Sequence, residues 1–223
     1  MTRISEKIKS VQTRLSKAAG EADLPRLVAV SKTRSEQAIR EAAESGLRGF
    51  GENYLQEAIP KIEGLADLNL TWHFIGSIQS NKTADIARNF DWVHTVEREK
   101  VARRLSDSRP ENLLPLNLLI QVNIDDEDSK AGVSTEEIFE LAERIQDLPR
   151  VKLRGLMAIP KPRADFEAQL SICRQMKHLF DQLKQQYAEI DTLSLGMSSD
   201  LEAAVQAGSS LVRIGTDIFG ART

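Results

Sequence analysis

Short apolar runs alternate along this chain with segments whose apolar positions recur at helical spacing. Residues 27–32 open the series as a strand, and "SEQAIREAAESG" follows as a helix that starts on a capping serine and stops at Gly46. "RGFGEN" reads as the second strand and "YLQEAIPKIEG" as a helix that Pro60 should break or kink. "TWHFIG" and "DWVHTV" are the third and fourth strands, followed by helices from about Asn81 and over "REKVARRLSDS". "NLLIQVNI" is the fifth; the helix after it, "STEEIFELAERIQDL", should take Ser134 as N-cap with Glu137 three residues on. "VKLRGLMAI", "DTLSLGM" and "SLVRIGTDIFG" complete eight strands. Between them lie a long helix striped by Phe166, Leu170, Cys173, Phe180, Leu183 and Tyr187, and the shorter "SSDLEAAVQAG".

Strict alternation implies an α/β fold with a parallel sheet, and eight units of this size favour closure into a single (β/α)8 TIM barrel. Ahead of it, "MTRISEKIKSVQTRLSKAAG" places Ile4, Ile8, Val11 and Leu15 on one helical face, which predicts an extra N-terminal helix packed on the barrel. It lacks the apolar centre of a secretory signal. No linker or repeat divides the chain, so residues 1–223 are expected to form one domain.

Composition narrows the function classes. A net charge of -3 offers no general attraction to nucleic acid or to an anionic membrane. Cys173 is the only cysteine, which excludes an internal disulfide; on its apolar stripe it reads as core filler. No apolar run is long enough to span a bilayer, and a cytoplasmic, monomeric protein is the expectation. His73, His94 and His178 lack metal-ligand spacing, and the acidic run 124–129 reads as a solvated loop.

Chemistry in such barrels gathers at the C-terminal strand ends. Lys32 ends the first strand in register with Val28 and Val30, and Arg213 shares a strand face with Gly215. Taken alone, a lysine there simply reaches solvent. Inside a barrel mouth, partial desolvation would instead favour its neutral amine, which attacks aldehydes. "GMSSDLEAA" places Ser198 and Ser199 at a helix start, and "VRIGTDIFG" places Gly215 and Thr216 after the eighth strand. These are the two loops that commonly bind phosphate in this fold. An amine for an aldehyde opposite a phosphate cradle suggests pyridoxal 5'-phosphate (PLP). Arg213 would then face the pyridine nitrogen and keep it unprotonated, weakening the ring as an electron sink.

The motifs "AVSKT", "GENYLQEA", "WHFIGSIQSNK", "VNIDDEDSKAGV", "GLMAI" and "GMSSDLEAAVQAGSSLVRIGTDIFG" resemble those of the pyridoxal-phosphate homeostasis protein family, from about residue 27 to the C-terminus. The resemblance implies a barrel like the alanine racemase N-terminal domain, with Lys32 as the aldimine lysine. It also implies Ser198, Ser199, Gly215 and Thr216 on the phosphate, Arg213 on the pyridine nitrogen, and Asn53, His73 and Met157 along the pocket. Lys130 falls where the family has a second lysine, expected to help hand the cofactor on, and Arg34 stands where relatives also carry lysine. The implied role is a carrier that buffers PLP or delivers it to PLP-dependent apo-enzymes, without catalysis.

Two enzymatic readings compete. An amino-acid racemase on the same cofactor needs a second acid/base group, typically tyrosine, and only Tyr54 and Tyr187 are available. A cofactor-free Schiff-base aldolase could use Lys32 or Lys161, but it leaves Arg213 without a role.

Overall fold

The computed structural model describes residues 3–127 and 131–221. The elements run α1 (Ile4–Ala19), β1 (Arg26–Val30), α2 (Glu36–Glu44), β2 (Gly49–Glu52), α3 (Leu55–Gly64), β3 (Thr71–Phe74), α4 (Thr83–Asn89), β4 (Trp92–Val96) and α5 (Glu99–Ser108). There follow β5 (Leu116–Gln121), α6 (Ile138–Gln146), β6 (Val151–Met157), α7 (Phe166–Gln186), β7 (Thr192–Ser194), α8 (Leu201–Gln206), β8 (Leu211–Ile214) and α9 (Thr216–Phe219). All eight strands pair in parallel and in sequence order, and β8 returns to β1, with Val28 opposite Arg213. The expected barrel is the observed one.

Outward-facing strand residues and the inner helix faces form the main core, which includes Phe50, Trp72, Phe74 and the stripe of α7. Helix α1 joins it through Ile8, Val11 and Leu15, as its spacing predicts. Cys173 is buried there, and burial pushes its thiol up to about 12, so it is inert filler. Of the predicted α7 stripe, Phe166 is exposed instead. The barrel lumen is different. Leu119, Met157 and Trp92 form a small separate cluster there, beside the buried polar groups His73, His94, Ser194 and Arg213.

Several boundaries depart from the sequence reading. β1 ends at Val30, and the next residues turn. Pro60 neither breaks nor ends α3, because the Gln56 carbonyl that its ring leaves unpaired belongs to an exposed residue. Ser134 does bind Glu137, through both its amide and its hydroxyl at 2.9 Å, but the pair closes a turn and the helix starts only at Ile138. The last predicted strand stops at Ile214, and Gly215 begins the short helix α9. β6 contains an extra residue against β5, and Gly155 carries it with φ of 147°. A Cβ at Gly155 would lie 1.9 Å from the Thr192 carbonyl oxygen.

Candidate functional site

Lys32 sits just beyond β1 in a tight turn closed by the Arg34 amide donating to the Ser31 carbonyl at 3.0 Å. Thr33 follows it with φ of 63°, a conformation that such turns normally give to glycine. A β-branched residue there costs roughly 1–3 kcal/mol, so the surroundings must enforce it. Helix α3 does so from both sides of Lys32. Beyond the lysine, Glu57 accepts the Thr33 amide at 2.9 Å. Before it, Lys61 Nζ donates to the Ser31 carbonyl at 3.0 Å and to Glu52 Oε1 at 2.9 Å, while the Ser31 hydroxyl donates to the same carboxylate at 2.7 Å. Glu52 is fully buried, and burial raises its pKa against the opposing pull of Lys61 and Ser31. Lys32 is itself half-buried.

The two candidate phosphate loops share this end of the barrel. Gly196 and the turn 197–200 precede α8; the Met197 amide is capped by Asp200 Oδ1 at 2.7 Å. The amides of Ser198, Ser199 and Thr216 donate to no group among the described residues. Gly215 lies against β1: a Cβ there would come within 3.3 Å of Val30 Cβ, so a larger residue would press on the strand that leads to Lys32. Asn53, after β2, carries a buried side-chain oxygen with no partner among the described residues. These loops, the orphan amide and the lysine turn fit an aldehyde that bears a phosphate.

Arg213 is buried in the lumen, where Nη1 donates to the Ser194 carbonyl at 2.9 Å and hydroxyl at 2.5 Å, and Nη2 donates to the Ala158 carbonyl at 3.0 Å. Burial lowers its pKa to about 10, with Asp200 pulling the other way, so it remains a cation at neutral pH. Met157 packs in the lumen at the end of β6. His73 lies deeper. It meets His94 at 2.9 Å and lines a cavity at the opposite, N-terminal end of the barrel. Of the expected residues, Lys32, Asn53, Ser198, Ser199, Gly215 and Thr216 follow the C-terminal strand ends, while His73, Met157 and Arg213 belong to the lumen. Lys130 lies outside the described residues.

Sequence reading missed Arg14. From α1 it reaches Glu202 at 2.7 Å, Asp217 at 2.5 Å and the Ser198 carbonyl at 3.1 Å, tying both candidate phosphate loops together. Nothing local marks it; it is one of several basic residues on an amphipathic helix. Glu57 and Lys61 were equally invisible, since their targets lie on another element. Because Arg14 is about one-third exposed, solvent screens its pairs. Arg14→Ala should therefore cost only about 1 kcal/mol in urea unfolding while weakening affinity for a phosphorylated ligand several-fold. An unchanged affinity would remove its role at the loops.

Arg34, the second basic position after Lys32, donates to the Gly220 and Ala221 carbonyls at 2.6 and 3.0 Å, docking the chain after α9. Lys161 is exposed and paired with Glu127 at 3.3 Å, a poor setting for an aldolase amine. Tyr54 is exposed at the start of α3, and Tyr187 follows α7 at the barrel end opposite the lysine. No helix among the described residues is long and apolar enough to cross a membrane.

The sequence profile of a family described as "Alanine racemase, N-terminal domain" matches residues 3–223. The chain is 51% identical over 225 residues to the pyridoxal phosphate homeostasis protein of Escherichia coli K12, covering 100% of this chain and 95% of that one. The structure of PipY from Synechococcus elongatus with PLP bound superposes with a TM-score of 0.85 at 34% identity, covering 98% of this chain and 100% of PipY. Alanine racemase from Corynebacterium glutamicum shares the fold, with a TM-score of 0.69 at 16% identity over 98% of this chain and 61% of its own.

Proposed function

The chain belongs to the pyridoxal phosphate homeostasis protein family, whose barrel is that of the alanine racemase N-terminal domain, and from that premise we propose that it binds PLP and holds it for buffering or delivery without turning over a substrate. The observation that carries the reading is the Lys32 turn, pinned on both sides by α3 at the same barrel end as the two phosphate loops. Bound there, the cofactor supplies an aldehyde electrophile joined to a pyridine ring.

Lys32 would supply the amine that condenses with that aldehyde. Ser198, Ser199, Gly215 and Thr216 would hold the phosphate through amides and hydroxyls, and Asn53 would line the pocket beside them. Arg213, a buried cation, would disfavour a proton on the pyridine nitrogen and so keep the ring a weak electron sink. Met157 would close the pocket from the lumen. His73 would act from beneath, through His94 and Ser194 to Arg213. A racemase needs a second acid/base group facing the lysine. Tyr187 lies at the wrong end and Tyr54 is exposed, so the non-catalytic reading is preferred. PLP-dependent apo-enzymes are the proposed recipients.

Titration with PLP should produce a visible absorbance band at one equivalent. Borohydride should then fix the cofactor to the peptide containing Lys32, as read by mass spectrometry. L-alanine incubated with the loaded protein should keep its configuration. A protein that stays colourless would overturn the cofactor reading, and measurable racemisation would overturn the non-catalytic one.

A further inference from the structure

The N-terminal end of the barrel holds a cavity of about 400 Å³ on the side away from Lys32. Its polar lining includes Arg26, Arg48 and His73, its apolar lining Leu27, Trp92 and Leu211, and no carboxylate among the described residues borders it. Arg26 places its guanidinium over the Trp92 ring, 4.8 Å from the centroid, and donates to Thr192 Oγ1 at 2.5 Å. Asp191, the acid whose field reaches Arg26, is occupied by Arg154 and by the Thr192 hydroxyl. The positive charge of Arg26 is thus not neutralised by a dedicated partner.

His73 supplies the second observation. It is 4% exposed, stacks on Trp92 and uses Nδ1 against His94 Nε2. Its Nε2 has no partner among the described residues and faces the cavity beside Gly49, whose missing Cβ would stand 3.5 Å away. Proton bookkeeping fixes what that atom presents. Arg213 can only donate, so Ser194 Oγ accepts from it, and His94 Nδ1, 3.2 Å away, is the one acceptor among the described residues within reach of the serine proton, which is therefore assigned to it. His94 must therefore carry its proton on Nε2 and give it to His73 Nδ1, which leaves His73 with N–H on Nε2. A buried donor and a guanidinium thus face one acid-free cavity with hydrocarbon walls.

We propose that this cavity binds a small aliphatic carboxylate, its oxygens taken by His73 Nε2–H and Arg26 and its hydrocarbon laid against Leu27, Trp92 and Leu211. An inorganic anion would leave those apolar walls unused, and a neutral ligand would forgo the guanidinium. The chain His73–His94–Ser194–Arg213 then joins the cavity to the residue assigned to the pyridine nitrogen. Occupancy should perturb the bound cofactor, a consequence that rests on the function proposed above.

The test uses the unloaded full chain and 3-methylbutanoate as probe, read by tryptophan fluorescence and isothermal titration. Saturable binding is expected for the carboxylate. 3-Methylbutanamide and inorganic phosphate should bind at least about tenfold more weakly, and Arg26→Met should lose about tenfold in affinity. Arg26 is exposed, so losing its Thr192 contact and its seat over Trp92 should lower the melting temperature by no more than a few degrees; Gly49→Ala, which narrows the space at His73, provides a second variant and should also weaken binding. Equal binding of acid and amide, or full binding by Arg26→Met, would overturn the proposal. In the loaded protein the probe should shift the visible band, and Ser194→Ala should abolish that shift. A protein that never loads PLP defeats the function proposal and leaves the fluorescence result standing.

Discussion

Lys32→Ala should give a folded protein that shows no protein-linked visible band with PLP and no borohydride-stable adduct, a complete loss rather than a graded one. The lysine side chain is half-buried at a turn and the main core lies elsewhere, so the melting temperature should stay within a few degrees of wild type. The loops proposed to hold the phosphate remain, so PLP should still bind, weakly and reversibly, through its phosphate. Lys32→Arg separates charge from chemistry: it keeps the cation, but a guanidinium does not form the same linkage with an aldehyde, so its adduct should be lost as completely. Should Lys32→Ala still be trapped stoichiometrically, the adduct mapped by mass would name another lysine. Lys61 is an unsuitable substitute, being committed to Glu52 and the Ser31 carbonyl. The wild-type turn also explains why position matters more than charge. Thr33 in a left-handed conformation aims the preceding residue, and the Glu57 contact holds it so.

Much of this was legible in the chain because the barrel repeats one local pattern eight times. Each strand-helix alternation is a short-range signal, and closure follows from the count. The residues after the strands followed too, since a barrel gathers its C-terminal ends in one place. What stayed hidden depends on direction within the lumen and on contacts between distant elements. His73 alternates with Trp72 and Phe74 and therefore faces inward, but period two says nothing of whether an inward side chain looks up or down the barrel axis. It meets His94 and the N-terminal cavity. Arg14 was hidden because its partners, Glu202 and Asp217, lie 188 and 203 residues away in sequence. Pro60 misled for a local reason: a proline costs a helix one hydrogen bond, and an exposed carbonyl can take water instead. The final strand was overextended because "GTDIFG" continues the apolar run of β8 while Gly215 already turns into α9.

The second large effect lies behind the lysine, in the buried pair of α3 and β2. Lys61→Met keeps the length and most of the volume of the side chain but removes the ammonium that offsets a fully buried carboxylate. Leaving one charge of such a pair unmatched costs about 3–5 kcal/mol, far more than the intact pair contributes over an apolar replacement. The pH dependence identifies the cause. Glu52 already has a raised pKa in the folded protein, so its ionised form is the one the fold disfavours. Without Lys61 that pKa should rise further. A folded-state carboxyl with a raised pKa binds protons more readily than in the unfolded chain, so the penalty is full above the folded pKa and shrinks as pH falls toward the unfolded value. Urea unfolding of Lys61→Met should therefore show a larger loss relative to wild type at pH 8 than at pH 5. Lys61→Met combined with Glu52→Gln should recover most of the stability, because the stranded charge is gone. It should not recover normal cofactor loading, since the Ser31 carbonyl still lacks the ammonium that anchors the turn before Lys32. A stability loss that is independent of pH and survives in the double variant would assign Lys61 to packing alone. Stability and loading restored together would show that the turn holds Lys32 in place without α3.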